Sequence, residues 1–397
     1  MSRRLWWGHQ IPVWHCERCG EMVASRERPA RCPNGHGSLR QEEQILDTWF
    51  SSGLWPFATL GWPKATPELG YFYPGDVLVT DRGIIFLWVS RMIMFGLHFM
   101  RDIPFTDVFI HPTVQTLEGK RMSKSMGTGI DPLEIMDQRG YGADALRYAL
   151  VLRCSQSQQD LRFGEKMLDD VRNINNKIWN IARFVRMNLE GDGGRPLAPS
   201  TALPAGTALG AADRWILSRF ARTARAVTAD LEAFEFDKAA RALYDFLWAT
   251  YADWYVEFAK VTLAAGEAEP RRAAQWTLWR VLEGTLRLLH PIMPHITEEV
   301  WHLLPHDGES IMIAPWPDPP AAWIDDEGEG AVEELSEVIR AIRSLRADLG
   351  VPAGSAVAPR LRVSDEAQRR RLEPMLPYIR ALTRAGGVTL EEASGPA

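Results

Sequence analysis

The segment between residues 76 and 110 constrains the fold most. Asp76-Val77-Leu78-Val79-Thr80 is a short apolar run bounded by turn residues, and Val108-Phe109-Ile110 is another. Between them, Ile84 to Phe99 places Ile84, Trp88, Arg91 and Met92 at three-to-four spacing, the period of a helix. Strand, helix, strand in so short a span predicts part of a parallel α/β sheet. Val114-Gln115-Thr116 then begins a short hairpin arm.

Downstream the period stays helical. One helix is expected over 166–190, and a Gly/Pro/Ala linker over 191–212. Helices follow at about 213–233, 236–261, 271–290 and 294–303, a bundle of antiparallel helices. A Pro-rich, then acidic stretch (314–329) precedes a helix at about 330–349. Two short strands, Pro359–Val363 and Gly387–Leu390, around a helix at about 365–383 make a small α/β appendix.

The arm and the bundle are separated by a basic, small-residue loop, Gly119-Lys120-Arg121-Met122-Ser123-Lys124-Ser125-Met126-Gly127. Lysines bring point charges, and hydroxyls and backbone N–H groups add hydrogen bonds, so the loop suits a polyphosphate. Its best use is on charge that develops only in a transition state, such as a departing pyrophosphate. By itself the motif reads more readily as a solvated turn with incidental charges. Asp131-Pro132-Leu133-Glu134 starts a helix, with Asp as N-cap and Pro where its missing N–H costs nothing.

Composition narrows the class. Hydrophobic residues make up 46% and charged residues 24% of the 397 residues, which excludes a disordered or fibrous chain. No apolar run is read as reaching the ~18 residues of a membrane span, so no membrane association is expected. The net charge of −6 gives no overall basic footprint, but local basic stripes on an acidic body still bind nucleic acid. Four cysteines cannot build a disulfide framework, which points to the reducing cytoplasm.

Three of the four cysteines crowd the start of the chain. Cys16-x2-Cys19 and Cys32-x3-His36 have zinc-ligand spacing, and Gly20 and Pro33 fit ribbon-like knuckles. The alternative is a degenerate ribbon held by packing alone.

Several separated segments together resemble the class I aminoacyl-tRNA synthetases, in their valyl branch. They are Leu5-Trp6-Trp7-Gly8-His9-Gln10-Ile11-Pro12, Leu46-Asp47-Thr48-Trp49-Phe50-Ser51-Ser52-Gly53-Leu54-Trp55-Pro56, the 76–89 run, and Arg121-Met122-Ser123-Lys124-Ser125, which is similar to the second signature loop of the class. Tyr141-Gly142-Ala143-Asp144-Ala145-Leu146-Arg147, Asp253-Trp254-Tyr255 and His290-Pro291-Ile292-Met293-Pro294-His295 belong to the same resemblance. It covers nearly all of residues 1–350. The isoleucyl and leucyl enzymes share the architecture, and a non-catalytic tRNA-binding paralogue is a second class of reading.

The resemblance implies a multidomain α/β plus all-α chain: the second half of a Rossmann-like catalytic fold, a helical anticodon-binding bundle and the small α/β appendix. The segments are 1–44, a zinc-ribbon-like re-entry from an editing insertion; 45–135, the half-fold with the signature loop; 136–165, a stem-contact connector; 166–320, the anticodon-binding domain; and 321–397, the C-terminal helix and appendix. It implies ATP-dependent activation of valine, with Mg2+ accompanying the ATP, then transfer to tRNA(Val) in protein synthesis. Lys124, assisted by Lys120 and Arg121, contacts the leaving pyrophosphate. Met122, Ser123, Lys124, Ser125 and Asp81 contact ATP, Asp81 standing in for a ribose-binding carboxylate that relatives place two residues later. Trp49, Ile84 and Trp88 form the valine pocket. Arg172, Lys177, Arg183, Arg186, Trp254, Arg343 and Arg346 contact tRNA. Cys16, Cys19, Cys32 and His36 hold structural Zn2+. The HIGH tetrapeptide of the class does not occur in the chain. The chain is therefore expected to need an N-terminal half as partner, to be inactive in valine activation alone, and to expose an apolar sheet edge.

Overall fold

The computed structural model describes residues 8–122, 127–155, 160–189, 203, 206–352 and 355–392. It divides into two compact units, 1–113 and 114–397. The division falls inside the segment read as 45–135.

The first unit opens with a three-stranded antiparallel sheet, order β2-β1-β3: β1 Val13–Cys16, β2 Met22–Ala24 and β3 Leu39–Gln41. Helices α1 (Thr48–Ala58) and α2 (Pro67–Phe72) follow. The expected strand–helix–strand then appears in full. β4 (Gly75–Asp81) and β5 (Phe105–His111) pair in parallel, with Leu78 opposite Val108 and Asp81 opposite His111. The crossover is a helical run, Arg82–Met100, with α3 (Ser90–Phe95) between two π-helical turns. Val89 and Met92 pack with Leu78 and Phe105, holding this run on the strands. Gly53 of α1 lies under Phe95, where a Cβ would come within 2.8 Å of the ring. That close approach lets α1 lie on the crossover.

One expectation needs correction. Arg82–Met100 is 19 residues long with a mean hydropathy of 1.6, so it meets the length and composition of a membrane span. Arg91 and His98 interrupt the run, which is why a count of uninterrupted apolar residues passes over it. Its outer face is apolar and open: Phe86 is 81% exposed and Met94 57%.

The second unit begins with a hairpin. Gln115 bridges to Arg121, Thr116 N–H donates to Lys120 O at 2.9 Å, and Gly119 takes φ +78° to close the turn. β6 (Thr113–Gln115) pairs with β7 (Asp160–Arg162). α4 (Ala143–Val151) and α5 (Lys166–Leu189) lead into the bundle. α6 is Ala211–Glu232, α7 Phe236–Asp245, α8 Val256–Ala265, α9 Ala268–Leu289 and α10 Pro294–His302. α7 and α8 are joined without a break by a π-helical stretch, Phe246–Tyr255, in which Val256 N–H reaches Tyr251 O, five residues back. Tyr251 and Tyr255, four residues apart on one face, are both buried. Their hydroxyls donate to Leu278 O and Asp213 Oδ1, each at 2.6 Å.

α11 (Asp326–Asp348) packs on α6. Its last turns run past the core, so Leu345 and Leu349 are exposed. The appendix forms as expected: β8 (Arg360–Val363) and β9 (Thr389–Glu392) pair in parallel around α12 (Glu366–Leu372) and α13 (Leu376–Thr383).

Candidate functional site

The cysteine–histidine cluster is built by two backbone knuckles. Gly20 N–H donates to Cys16 O and Cys16 N–H to Glu21 O, both at 2.8 Å; Gly20 carries φ +74°. Gly35 N–H donates to Cys32 O and Cys32 N–H to His36 O, also at 2.8 Å. The four donor atoms lie within 4.8 Å of one another. Cys19 Sγ is 3.8 Å from Cys32 Sγ, and His36 Nδ1 is 3.7 Å from both Cys16 Sγ and Cys32 Sγ. Four ligands at about 2.0–2.3 Å in a tetrahedron leave edges of about 3.5–3.8 Å, so the set fits zinc. Asn34 Nδ2 points at Cys19 Sγ from 3.5 Å. That side-chain N–H, then the backbone N–H of Glu21 and the His36 ring, pull the Cys19 thiol down to about 6. A low thiol pKa favours the thiolate, the form that binds metal.

In an α/β sheet the ligand crevice lies at the carboxyl ends of the strands. Here those ends carry Asp81 and His111, opposite each other in register. Asp81 Oδ1 accepts Gly83 N–H at 2.5 Å, capping the turn that starts the crossover. Its Oδ2 accepts the Thr113 hydroxyl. Both oxygens of this expected ribose contact are thus already engaged within the fold. The Thr80 hydroxyl beside it is buried with no hydrogen-bond partner among the described residues.

The three residues of the expected valine pocket fall on two neighbouring elements. Trp88 Nε1 donates to Ser52 O of α1 at 3.2 Å, and the Trp88 and Trp55 rings lie 6.5 Å apart. Trp49 sits one turn before Ser52 on the same helix, half-buried, as Ile84 is on the crossover.

Lys120 and Arg121 are exposed on the hairpin. Met122 lines a cavity of about 460 Å³ with Leu117, Ile130, Ile135 and Phe163. Ser123, Lys124 and Ser125 lie outside the described residues.

The expected tRNA contacts separate into two groups. Arg172, Arg183 and Arg186 are exposed on one face of α5, and Arg172 stacks over Tyr141 at 5.9 Å. Asn173, Asn176, Trp179 and Asn180 are exposed along the same face; Asp169 lies one turn before this row, and no acidic residue falls between Arg172 and Arg186. Trp179, 45% exposed, escaped the sequence reading; its helical spacing from Arg172 and Arg183 is the signal that finds it. The second group is engaged internally. Lys177 pairs with Asp253 at 2.8 Å and lies 4.6 Å from the Trp248 ring. Trp254 packs on Phe258 beneath Arg340. Arg343 donates twice to Leu382 O, at 3.1 and 2.9 Å, and Arg346 donates to Thr383 O at 2.8 Å and Pro352 O at 2.9 Å. These two arginines close the C-terminus of α13, whose last carbonyls lack helical partners.

Comparison with known proteins shows what the chain is homologous to. Residues 1–164 match the family described as tRNA synthetases class I (I, L, M and V), and residues 213–361 match the anticodon-binding domain of tRNA ligase. The valine–tRNA ligase of Carboxydothermus hydrogenoformans is 46% identical over 386 residues, 97% of this chain. The chain is homologous to the valine–tRNA ligases. The Geobacter sulfurreducens valine–tRNA ligase is 44% identical over 98% of the chain. In each case the chain spans 43% of the relative's length. Among solved structures, Agrobacterium radiobacter K84 LeuRS, in a ternary complex with tRNA and LeuAMS, shares the fold with a TM-score of 0.63 and 18% identity, over 97% of this chain and 50% of that one. Mycobacterium tuberculosis methionyl-tRNA synthetase with methionyl-adenylate gives 0.53 and 19%, over 70% of this chain and 54% of that one. The architecture expected from the resemblance, a class I catalytic portion followed by a helical anticodon-binding domain, is the one found.

Proposed function

We propose that this chain is the ATP- and tRNA-handling portion of a valine–tRNA ligase, working in the cytoplasm. The observation that carries the reading is the 46% identity to a valine–tRNA ligase running through nearly the whole chain, across both units. A carboxylate oxygen of valine attacks the α-phosphorus of ATP, and the bond from that phosphorus to the bridging oxygen breaks, releasing pyrophosphate with its Mg2+. A terminal ribose hydroxyl of tRNA(Val) then attacks the valyl carbonyl, and AMP leaves. Positioning and charge stabilisation supply most of the acceleration.

Lys124, with Lys120 and Arg121, neutralises the departing pyrophosphate. Met122 anchors the near end of that loop in its apolar cavity, and Ser123 and Ser125 shape the rest. Trp49, Ile84 and Trp88 bound a small apolar pocket that excludes isoleucine by volume. Such a pocket discriminates weakly against an isostere that adds only a hydroxyl. Asp81 orders the carboxyl end of β4, and with Thr113 and His111 borders the nucleotide. The exposed row of α5 takes the anticodon arm, with Trp179 as a face on which an unpaired base stacks. Cys16, Cys19, Cys32 and His36 hold a structural zinc, which supplies a cross-link between the two knuckles and no reaction chemistry.

The apolar outer face of Arg82–Met100 and the solvent-exposed Val77 and Val79 of β4 are covered by the remainder of the catalytic fold. The test is valine-dependent exchange of pyrophosphate into ATP. Exchange is expected when the upstream half of the Carboxydothermus relative is supplied in trans, and none from the chain alone. Substituting Lys124→Ala in the active combination lowers the exchange rate by at least about 100-fold, the scale of losing one transition-state contact. Tight tRNA(Val) binding without exchange in any combination would favour the non-catalytic paralogue.

A further inference from the structure

None of the expected ATP, valine or tRNA contacts lines a cavity of about 400 Å³ in the second unit. It opens between the starts of α6 and α11, the end of α12 and the turn that follows, Glu373–Met375. Hydrogen bonds fix its walls. Asp325, at the N-cap of α11, accepts Gly328 N–H at 2.8 Å and gives its own N–H to Ser218 at 2.9 Å. Its other oxygen accepts Arg214 Nε of α6 at 3.2 Å, and Arg214 Nη1 donates to Leu209 O at 2.9 Å. From α12, Arg371 Nε donates to Glu334 at 3.1 Å and Arg370 Nε to Glu366 O at 3.3 Å.

Each of these three guanidinium groups is held by its Nε end. The Nη nitrogens of Arg370 and Arg371, and Nη2 of Arg214, donate no hydrogen bond among the described residues. A guanidinium fixed this way has already lost much of its rotamer freedom, and its open fork matches a phosphate. The rim is not uniformly basic. Glu327, in the first turn of α11, lines the same cavity and is exposed. A ligand that was only an anion would meet that charge. Pro374 and Met375 add an apolar wall, with Met375 4% exposed. The cavity therefore fits a ligand with a phosphate, an apolar face and an N–H donor, the three parts of an amino-bearing nucleotide. Its volume lies in the range of about 300–1,000 Å³ usual for small-molecule sites.

We propose that this cavity is a separate nucleotide site that takes one adenosine monophosphate unit. Arg370, Arg371 and Arg214 hold the phosphate, Pro374 and Met375 meet the base, and Glu327 accepts an N–H of the base's amino group. The unit has two sources, free 5′-AMP and an unpaired adenylate within an RNA strand. The site lies wholly in the second unit and does not depend on the catalytic reading given above.

The experiment is equilibrium dialysis of the full chain against 5′-AMP, adenosine, 5′-IMP and a triadenylate that carries no terminal phosphate. The adenylate ligand that binds, 5′-AMP or triadenylate, is expected to bind at least about tenfold tighter than adenosine, the scale of a charge-assisted hydrogen bond. 5′-AMP is expected to bind at least about fivefold tighter than 5′-IMP, which replaces the amino group by an oxygen. Arg370→Glu abolishes the preference for phosphate. Glu327→Gln, whose amide both donates and accepts, abolishes the preference over 5′-IMP and leaves the preference for phosphate. Both side chains are exposed, so both variants keep the fold, checked by an unchanged thermal midpoint. Triadenylate bound as tightly as 5′-AMP assigns the site to an RNA strand; 5′-AMP bound and triadenylate rejected assigns it to the free nucleotide. No binding of either at millimolar concentration overturns the proposal. So does binding that both variants leave unchanged, which would place the nucleotide at the crevice of β4 and β5. Neither of those failures touches the pyrophosphate-exchange test of the catalytic reading.

Discussion

Ser218 of α6 and Glu329 of α11 form a two-way clasp. The Ser218 hydroxyl donates to the Glu329 carboxylate and accepts Asp325 N–H at 2.9 Å. Arg219 and Arg222 complete the set, at 3.3 and 2.8 Å. Burial pushes the Glu329 carboxyl up, but the hydrogen bonds from Ser218, Arg222 and Arg219, with the Arg222 charge, outweigh it and hold the pKa below the usual glutamate value. A carboxyl depressed in the folded state binds its proton more readily when unfolded. Its stabilisation is complete above the unfolded pKa of about 4.3 and is lost as pH falls through the lower folded value. Glu329→Gln is therefore predicted to destabilise the second unit by about 1–3 kcal/mol at pH 7. The deficit should shrink below about pH 4, read as converging thermal midpoints. A constant gap down to pH 3 would refute this account.

The spacing of the four donor atoms predicts about one zinc per chain. Metal analysis of protein purified without chelator checks the stoichiometry. Replacing Cys32 or His36 with alanine should abolish binding and expose the knuckles to protease. Protein that is zinc-free, and unaltered in stability by chelator, would favour the ribbon held by packing.

The α5 face yields a prediction about RNA. Arg183→Glu should weaken tRNA binding and flatten its salt dependence by about one unit of slope per cation removed. Trp179→Ala should cost about 1–3 kcal/mol and leave the slope unchanged, because stacking carries no counterions. Titrations at several salt concentrations separate the two effects.

Arg343 and Arg346 should behave differently. Their guanidinium groups satisfy carbonyls at the end of α13 and the turn after α11. Arg346→Ala is predicted to lower the stability of the appendix by about 1–3 kcal/mol, seen as faster amide exchange over residues 376–392, with tRNA affinity within about twofold. A salt-dependent loss of tRNA affinity at unchanged stability would restore these arginines to the RNA interface.

Local patterns carried much of this to the surface of the sequence. The apolar runs at 76–80 and 108–110 are strands because apolar residues fill them, and the helix between repeats at the right period. The four metal-ligand candidates were legible because knuckle geometry fixes their spacing. What stayed hidden depended on partners far along the chain. Arg343 and Arg346 read as a surface stripe until α13 supplies carbonyls 37 and 39 residues on. Asp144 reads as one polar residue in a helix until the His295 and Ile296 N–H groups at the start of α10 donate to its carboxylate. Lys177 reads as an exposed cation until Asp253 and Trp248 approach it. The apolar reach of Arg82–Met100 escaped because two polar residues break a run without lowering its average enough.

The wide turns between Phe246 and Tyr255 set a rule for how this protein tolerates changes of length. An α-helix advances about 100° per residue, and a π-helical turn spends about one residue more on the same rotation. Removing a single residue there would let one wide turn tighten to regular winding with α8 still facing α7, so that Phe258 and Leu263 stay buried. A one-residue deletion within α7 has no such slack, because it turns everything beyond it by about 100° and swings those side chains outward. The joint is therefore the place where the bundle absorbs a change of length.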